Sequence, residues 1–254
     1  MPNVSALSAL VVARNEAAQL AACLDHLRFA DEVVVLLDRS IDGSATIARD
    51  AGAKVIEGAW DLEGPRRNAG YEACAGPWIL EVDADERVTP ELSAEIVAAL
   101  AAPKVDYFLV PMANHIGSRL VRYGWGAYNG VAAKPVLFRK GTKRVLGGRV
   151  HPKIELHGKS RTLENPMLHF VDRDFSDLFA RLNRYTDLAA LDARDAGRKP
   201  NVAHAFRRFW SRGWKSYIAR RGYREGAYGI ALALFSALYP LLIDLKLATL
   251  GDKA

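Results

Sequence analysis

The sequence predicts an α/β protein: a mixed, mainly parallel sheet with helices on both faces, followed by amphipathic helices at the C-terminal end. Three observations carry that prediction. Short, nearly continuous apolar strands alternate with helical segments through the first hundred residues, longer β-like pieces follow to about residue 170, and apolar residues then recur at helical spacing. With 254 residues, 50% of them hydrophobic, the chain is long enough for one large α/β domain with an appendage, without disulfide staples.

The elements follow in order. "ALSALVVA" reads as the first strand and "EAAQLAACLDHLRF" as the helix behind it. "DEVVVLLD" is a second strand, "SATIARDA" a short helix, "AKVIEG" a third strand, "RRNAGYEACA" a helix and "PWILEV" a fourth strand, after which "TPEL" restarts as helix. From about residue 105, "VDYFLVPMANHI", "KPVLFRKG" and "HPKIELHG" are β-like and joined by Gly-rich connections such as "YGWGAYNG"; residues 105–170 are expected to complete a pocket. Residues 174–196 read as a helix. In "HAFRRFWSRGWKSYIARR", Phe206, Phe209, Trp210, Trp214, Tyr217 and Ile218 recur at helical spacing and leave the cations on the other side. Residues 227–243 are almost wholly apolar but slightly short for a membrane span, contain Pro240, and are followed by Asp244 and Lys246.

Cys23 and Cys74 both fall in segments that read as helices and form no Cys-x-x-Cys motif, so they are expected to be reduced core thiols of a cytoplasmic protein. The opening "MPNVSALSALVVARNE" has no basic flank, and its apolar run ends at Arg14 and Glu16, the pattern of a first strand rather than of a signal peptide. The net charge of +6 admits nucleic acid, an anionic membrane or a phosphorylated substrate as partner. Its location narrows the choice: residues 207–224 hold Arg207, Arg208, Arg212, Lys215, Arg220, Arg221 and Arg224 with no acid among them. That stretch is backed by apolar sequence and shows no nucleic-acid reader motif, so nucleic acid is not an expected partner.

In parallel sheets ligands bind beyond the carboxyl ends of the strands. Arg14, Asn15 and Glu16 follow the first strand, Asp38 with "RSIDGS" the second, and Asp83, Asp85 and Glu86 the fourth, so carboxylates converge on one rim. The Asp-x-Asp pair has two readings of equal standing: ligands to Mg²⁺ or Mn²⁺, whose shell substrate phosphates complete, or caps on the following helix. Asp38 either accepts from a base N–H or ribose hydroxyl, or forms an Asx turn. Asp42 and Gly43 read singly as turn residues. Arg66 and Arg67 either pair with phosphate or are simply solvated.

"VVARNEA" and residues 31–92, from "DEVVVLLDRS" to "VDADERVTPEL", resemble the nucleotide-sugar-binding half of family 2 glycosyltransferases with the GT-A fold, nearest in kind to lipopolysaccharide inner-core β-glycosyltransferases. The resemblance is dense over residues 8–100 and continues through "RVHPKIE", "LHF", "LNRYT" and "GYREGAYGIALALFSALY". It implies nucleotide-sugar binding by Arg14, Asn15, Glu16, Asp38, Asp42, Arg67, Asn68 and Asp83, with Asp38 at the base. It also implies a divalent cation, Mg²⁺ or Mn²⁺, at Asp85 with Asp83. The implied reaction is a single displacement with inversion, in which a base takes the acceptor proton. Relatives carry Val-His-Glu where this chain has "VHP", so Pro152 replaces a carboxylate and Glu155 and His151 remain as catalytic candidates. Val136 stands where arginine is expected, which moves a phosphate contact to Lys134 or Arg139.

The resemblance thus implies a glycosyltransferase that takes a nucleotide-diphosphate sugar, UDP-linked by preference, to a lipid-linked glycan such as lipopolysaccharide core. Transfer to polyprenyl phosphate, which needs no hydroxyl base, is the alternative enzyme. A non-catalytic nucleotide-sugar-binding, membrane-associated protein is the alternative of another class. The expected organisation is a catalytic domain over 1–172, with a nucleotide-sugar half (1–104) and an acceptor half (105–172), and a helical extension over 173–254. The extension is expected to dock on the cytoplasmic face of the inner membrane through Phe206, Trp210, Trp214 and Tyr217 with Arg207, Arg208, Arg220 and Arg221. For such a helix alone, packing of the aromatics on the domain is the rival reading.

Overall fold

The computed structural model describes residues 6–126, 130–150 and 152–250. They form two compact units: one from residues 6–112, 133–148 and 152–169, the other from residues 113–126, 130–132, 149–150 and 170–250.

The first unit alternates β1 (Leu7–Ala13), α1 (Ala17–Asp25), β2 (Glu32–Asp38), α2 (Ser44–Asp50), β3 (Lys54–Gly58), α3 (Glu63–Ala73) and β4 (Trp78–Asp83). A two-residue strand β5 (Glu86–Arg87) and α4 (Pro90–Ala101) follow. Next come β6 (Tyr107–Ile116), which turns back in the second unit as β7 (Arg119–Leu120), then β8 (Ala133–Arg139), β9 (Lys143–Val145), β10 (Ile154–Leu156), β11 (Ser160–Thr162) and β12 (Met167–Asp172). The strand order begins β3-β2-β1-β4-β8-β6, with β1, β2, β3 and β4 parallel and β8 antiparallel to both neighbours. Every residue of β1 is buried, as its unbroken apolar run requires of a strand covered on both faces.

Register levels the carboxyl ends of the parallel strands. Val12 pairs with Asp83, Ala13 with Leu37, and Asp38 with Gly58. Asp38 and Asp83 therefore flank the end of β1, two strand spacings or about 10 Å apart. Below them α3 packs Tyr71 and Cys74 against Leu10, Val12, Leu36, Ile79 and Phe138. Gly70 permits this approach, because a Cβ there would stand 2.8 Å from Leu10 Cδ2. The helix begins at Glu63 rather than Arg66 and stops at Ala73, so Cys74 lies just past its end instead of inside it. Pro65 in the first turn costs no hydrogen bond, since the first N–H groups of a helix have no partner within it. Cys23 and Cys74 are buried, and burial pushes both thiols up to about 12, the behaviour of inert core groups.

The second unit is built on α5 (Phe175–Asp195), α6 (Val202–Trp214) and α7 (Ala227–Leu250), with one π-helical turn (Lys215–Ala219) and one 3₁₀ turn (Gly222–Glu225) between the last two. The helix expected to run through Ile218 thus leaves α geometry at Lys215. A division at residue 172 misses part of this unit. The 113–132 segment belongs with the helices because buried Glu225 accepts the N–H groups of Arg122 (2.8 Å) and Tyr123 (3.1 Å), and Ser216 Oγ donates to the Gly124 carbonyl at 2.6 Å. Arg149 joins through a 2.8 Å bond to Asp192.

In α7 the apolar run extends to Leu250, giving 24 residues of mean hydropathy 1.8 in the most apolar window. By length and composition alone this helix is able to cross a membrane, yet half of that window is buried within the protein. Leu232, Phe235 and Tyr239 pack with Leu178 and Leu182 of α5. Asp244, 2% exposed, accepts from Arg198 and from the Asn201 N–H (2.8 Å), and Lys246 Nζ donates to the Asn183 carbonyl at 2.8 Å. Those polar ties explain why an apolar run carries Asp244 and Lys246 near its end.

Candidate active site

β4 ends at Asp83, and the chain turns through Ala84 and Asp85 into β5. The helix beyond has its own cap: Thr89 Oγ1 accepts the Leu92 N–H at 3.1 Å, and Pro90 fills the first turn. The capping reading of Asp83 and Asp85 is thereby removed. Both side chains remain 30% exposed, and Asp85 Oδ2 lies 3.5 Å from His169 Nε2 on β12.

Asp83 is gripped by cations. Arg67 of α3 reaches it at 3.1 Å and Lys134 of β8 at 3.3 Å, while Lys134 also binds buried Glu86 at 2.5 Å. Burial opposes ionisation of Asp83, but Arg67 and Lys134 outweigh it and hold the carboxyl far below the usual carboxylate range. Burial likewise disfavours the charged Lys134, yet Glu86 and Asp83 outweigh it and keep the ammonium well above its ordinary value. Glu86 itself is raised by burial. Beneath this layer Glu81, inside β4, binds Arg67, Lys143 (2.5 Å) and the Tyr71 hydroxyl (2.8 Å). Burial would raise Glu81, but Lys143 and Arg67 bring it down to about 2.

On the neighbouring rim Asp38 is 3% exposed and surrounded by donors: Arg39 Nε at 2.9 Å, the Trp60 N–H at 3.1 Å and Arg66 at 3.4 Å. Asp38, expected to meet a base or ribose or to form an Asx turn, is thus enclosed by protein donors, the Arg39 and Arg66 guanidiniums among them. Arg66 Nε–H is buried with no acceptor among the described residues, an unmatched donor beside Asp38. Asn15 adopts left-handed backbone (φ 56°) and its Oδ1 accepts the Ile41 N–H at 2.9 Å, which ties the β1 loop to the β2 loop. Asp42 accepts from Ala17 N–H (2.9 Å) and Ser44 N–H (3.0 Å), so its carboxylate serves the first turns of α1 and α2. Arg14 is exposed, and the Glu16 N–H donates to Ser44 Oγ at 3.1 Å.

Not every expected contact sits free at this rim. Asn68 spends both ends of its amide on Val145, donating to the carbonyl at 2.9 Å and accepting the N–H at 3.0 Å, and so pegs β9 to α3. Of the two candidates for the displaced phosphate contact, Lys134 reaches Asp83, whereas the Arg139 guanidinium lies over the Trp78 ring at 5.0 Å. Glu155 is half-buried in β10, opposite Arg144 of β9. His151 lies outside the described residues. Sequence reasoning passed over Glu81, Lys143, Tyr71 and His169. The available signal was Glu81 itself, a charge inside the apolar strand "WILEV" that demands a buried partner.

The donor chemistry suits a hard cation. Among the described residues no third His, Cys, Asp or Glu completes a cluster with Asp83 and Asp85, and one or two carboxylates with substrate phosphates is how Mg²⁺ and Mn²⁺ are commonly held. In the second unit, Phe206, Trp210 and Trp214 are 53%, 64% and 67% exposed, and Ala205 is the buried residue of α6. Packing of these three aromatics on the domain is thus overturned, while Tyr217 is half-buried. Arg207 and Arg221 are exposed, Arg208 and Arg220 partly so.

The chain matches the family model "Glycosyl transferase family 2" over residues 8–155. An uncharacterized glycosyltransferase of Rickettsia bellii is 26% identical over 262 aligned residues, which span 96% of this chain and 87% of that protein. Lipopolysaccharide core biosynthesis glycosyltransferase LpsC of Rhizobium meliloti is 26% identical over 256 residues, 95% of this chain and 91% of that one. Among solved structures, Mycobacterium tuberculosis glucosyl-3-phosphoglycerate synthase in complex with Mn²⁺, UDP and glucosyl-3-phosphoglycerate aligns at 21% identity over 44% of each chain, with a TM-score of 0.38.

Proposed function

The chain belongs to glycosyltransferase family 2, and on that premise we propose that it transfers a sugar, with inversion, from a UDP-sugar to a lipid-linked glycan of the lipopolysaccharide-core kind. One observation carries the reading: Asp85 is uncapped and half-exposed at the end of a parallel strand, beside an Asp83 that Arg67 and Lys134 hold ionised. Mg²⁺ or Mn²⁺ bound at Asp85, with Asp83 alongside, would offset the charge that develops on the departing nucleoside diphosphate. Lys134 and Arg67 add fixed positive charge where the diphosphate oxygens need it. The acceptor hydroxyl oxygen bonds to the anomeric carbon as the bond to the diphosphate oxygen breaks, its electron pair leaving with the nucleotide. The acceptor proton passes to a base, which in this reading is Glu155.

The likeness to LpsC along 95% of this chain supports a lipopolysaccharide-core acceptor. The exposed Phe206, Trp210 and Trp214, on a helix that also bears Arg207 and Arg208, support peripheral docking at the cytoplasmic face of the inner membrane. A second enzyme reading, transfer to polyprenyl phosphate, is favoured by Pro152 standing where relatives have a carboxylate, since an anionic acceptor needs no base.

Calorimetric titration of UDP with and without Mn²⁺ tests the donor site. The expected result is binding that requires Mn²⁺ and that Asp85→Asn abolishes, while the unfolding curve stays unchanged. Failure of UDP, GDP and CDP alike to bind would overturn the reading, and tighter binding of GDP or CDP would replace uridine. With a turning-over donor, loss of at least about a hundredfold in turnover for Asp85→Asn excludes the non-catalytic alternative.

A further inference from the structure

Arg207, Arg208, Arg212, Lys215 and Arg220 line a concavity of about 400 Å³ in the second unit, and among the described residues no Asp or Glu lines it with them. A neighbouring concavity of the same unit, of about 310 Å³, is built differently: there Arg198 and Arg208 meet Asp192 and Asp244. Carboxylates thus line one hollow of this unit and, among the described residues, not the other. Like charges gathered in a concave, partly desolvated space focus a positive potential, which an entering polyanion relieves. Guanidinium forks favour phosphate for its geometry as well as its charge.

The second clue is apolar. Phe206, Trp210 and Trp214 follow at four-residue spacing and form one exposed stripe of α6, and the adjacent row, Arg207, Ser211 and Lys215, each one residue on and so about 100° round the helix, lines the concavity. A soluble anion would use the cations and leave the stripe in water. Bases of a single strand would need open ring faces, but Trp210 packs at 86–87° to Phe206 and Phe209, edge against face. A lipid surface uses both features, taking the stripe into the acyl boundary and the head-group phosphate into the hollow. Five permanent cations also outnumber the single charge of a phosphodiester.

We propose that this concavity is a phosphate site for a membrane-anchored glycolipid, which it recognises through a terminal phosphate monoester or a diphosphate rather than through surface charge in general. The inference deepens the acceptor side of the function proposed above and rests on its lipid-linked acceptor, but its test does not depend on turnover. The full chain is sedimented with zwitterionic vesicles doped either with phosphatidic acid, a monoester, or with phosphatidylglycerol, a diester, at matched surface charge. Binding to the monoester vesicles is expected to be tighter by about tenfold or more, the worth of one charge-assisted hydrogen bond. Inorganic pyrophosphate should compete it away. Arg207→Gln combined with Lys215→Gln, both at exposed positions, should erase the preference and leave unfolding and UDP titration untouched. Trp210→Ala with Trp214→Ala should weaken both vesicle types alike. Equal binding to the two vesicles, indifference to pyrophosphate, or binding to oligothymidine in place of vesicles would each overturn the proposal. A chain that keeps the monoester preference but binds no nucleoside diphosphate would sink the transferase reading and leave the phosphate site standing.

Discussion

The rim of the first unit and the basic helix of the second hold charge in opposite ways. At the rim the buried carboxylates each have a partner of opposite sign: Glu81 with Lys143 and Arg67, Glu86 with Lys134, Asp38 with Arg39 and Arg66. Among the described residues no carboxylate lines the α6 concavity beside its five cations. Interior ion pairs fix the positions of the groups they contain, because leaving either partner alone costs several kcal/mol. On the proposal above, the complement of the concavity's cations is an arriving anion, and stability and ligand capture then draw on different parts of the charge inventory.

That contrast can be broken most forcefully at Glu81. Glu81→Leu leaves Lys143 buried with only the Pro135 carbonyl at 3.0 Å, and is expected to lower unfolding free energy by about 3–5 kcal/mol in urea denaturation. Acid provides the same test without mutation. The Glu81 carboxyl sits at about 2 in the folded chain against an ordinary 4.5, so its contribution is complete above pH 4.5 and is lost as the pH falls from there towards 2. The urea midpoint should fall across that window, and Glu81→Gln should flatten the fall without abolishing it, because Asp83 is depressed as well.

Asn68→Ala sharpens the comparison. Its amide holds β9 through two backbone bonds to Val145, so the variant should lose about 1–3 kcal/mol of stability and keep the wild-type affinity for UDP. A drop in UDP affinity with unchanged stability would return Asn68 to the nucleotide. The smallest effect belongs to the second unit: Lys215→Gln should leave stability within about 0.5 kcal/mol of wild type, as thermal unfolding will report. A clear loss there would mean that the basic helix is held by its charges after all.

The strands and the rim were legible because they are local. The unbroken apolar runs of β1 and β2 signalled strands covered on both faces, whereas the alternation of half-buried and buried residues along β6 is not written in its sequence, which is apolar at most positions on both faces. Asp83 and Asp85 could be placed because an acidic pair follows a strand, but whether they capped the next helix depended on Thr89, a choice sequence alone left open. What escaped was long-range. Lys134 lies 48 residues from Glu86 and Lys143 62 from Glu81, and no periodicity reports which cation will cross a sheet to meet a given carboxylate. The exposure of Trp210 and Trp214 was hidden for a related reason: helical spacing shows which residues share a face but not whether another element covers it.

Thr89 has a consequence for how such a chain can change over generations. Because the threonine alone closes the first turn of α4, Asp85 carries no duty in holding that helix. On the metal-holding role proposed for Asp85, a single codon change there would silence the chemistry while folding, the rim and the basic helix all persisted. A duplicated gene could therefore pass from enzyme to pure binder in one step, and its product would still look in every other respect like a transferase. Within such a lineage, on the same proposal, the side chain at this one turn would separate working copies from retired ones more sharply than overall likeness does.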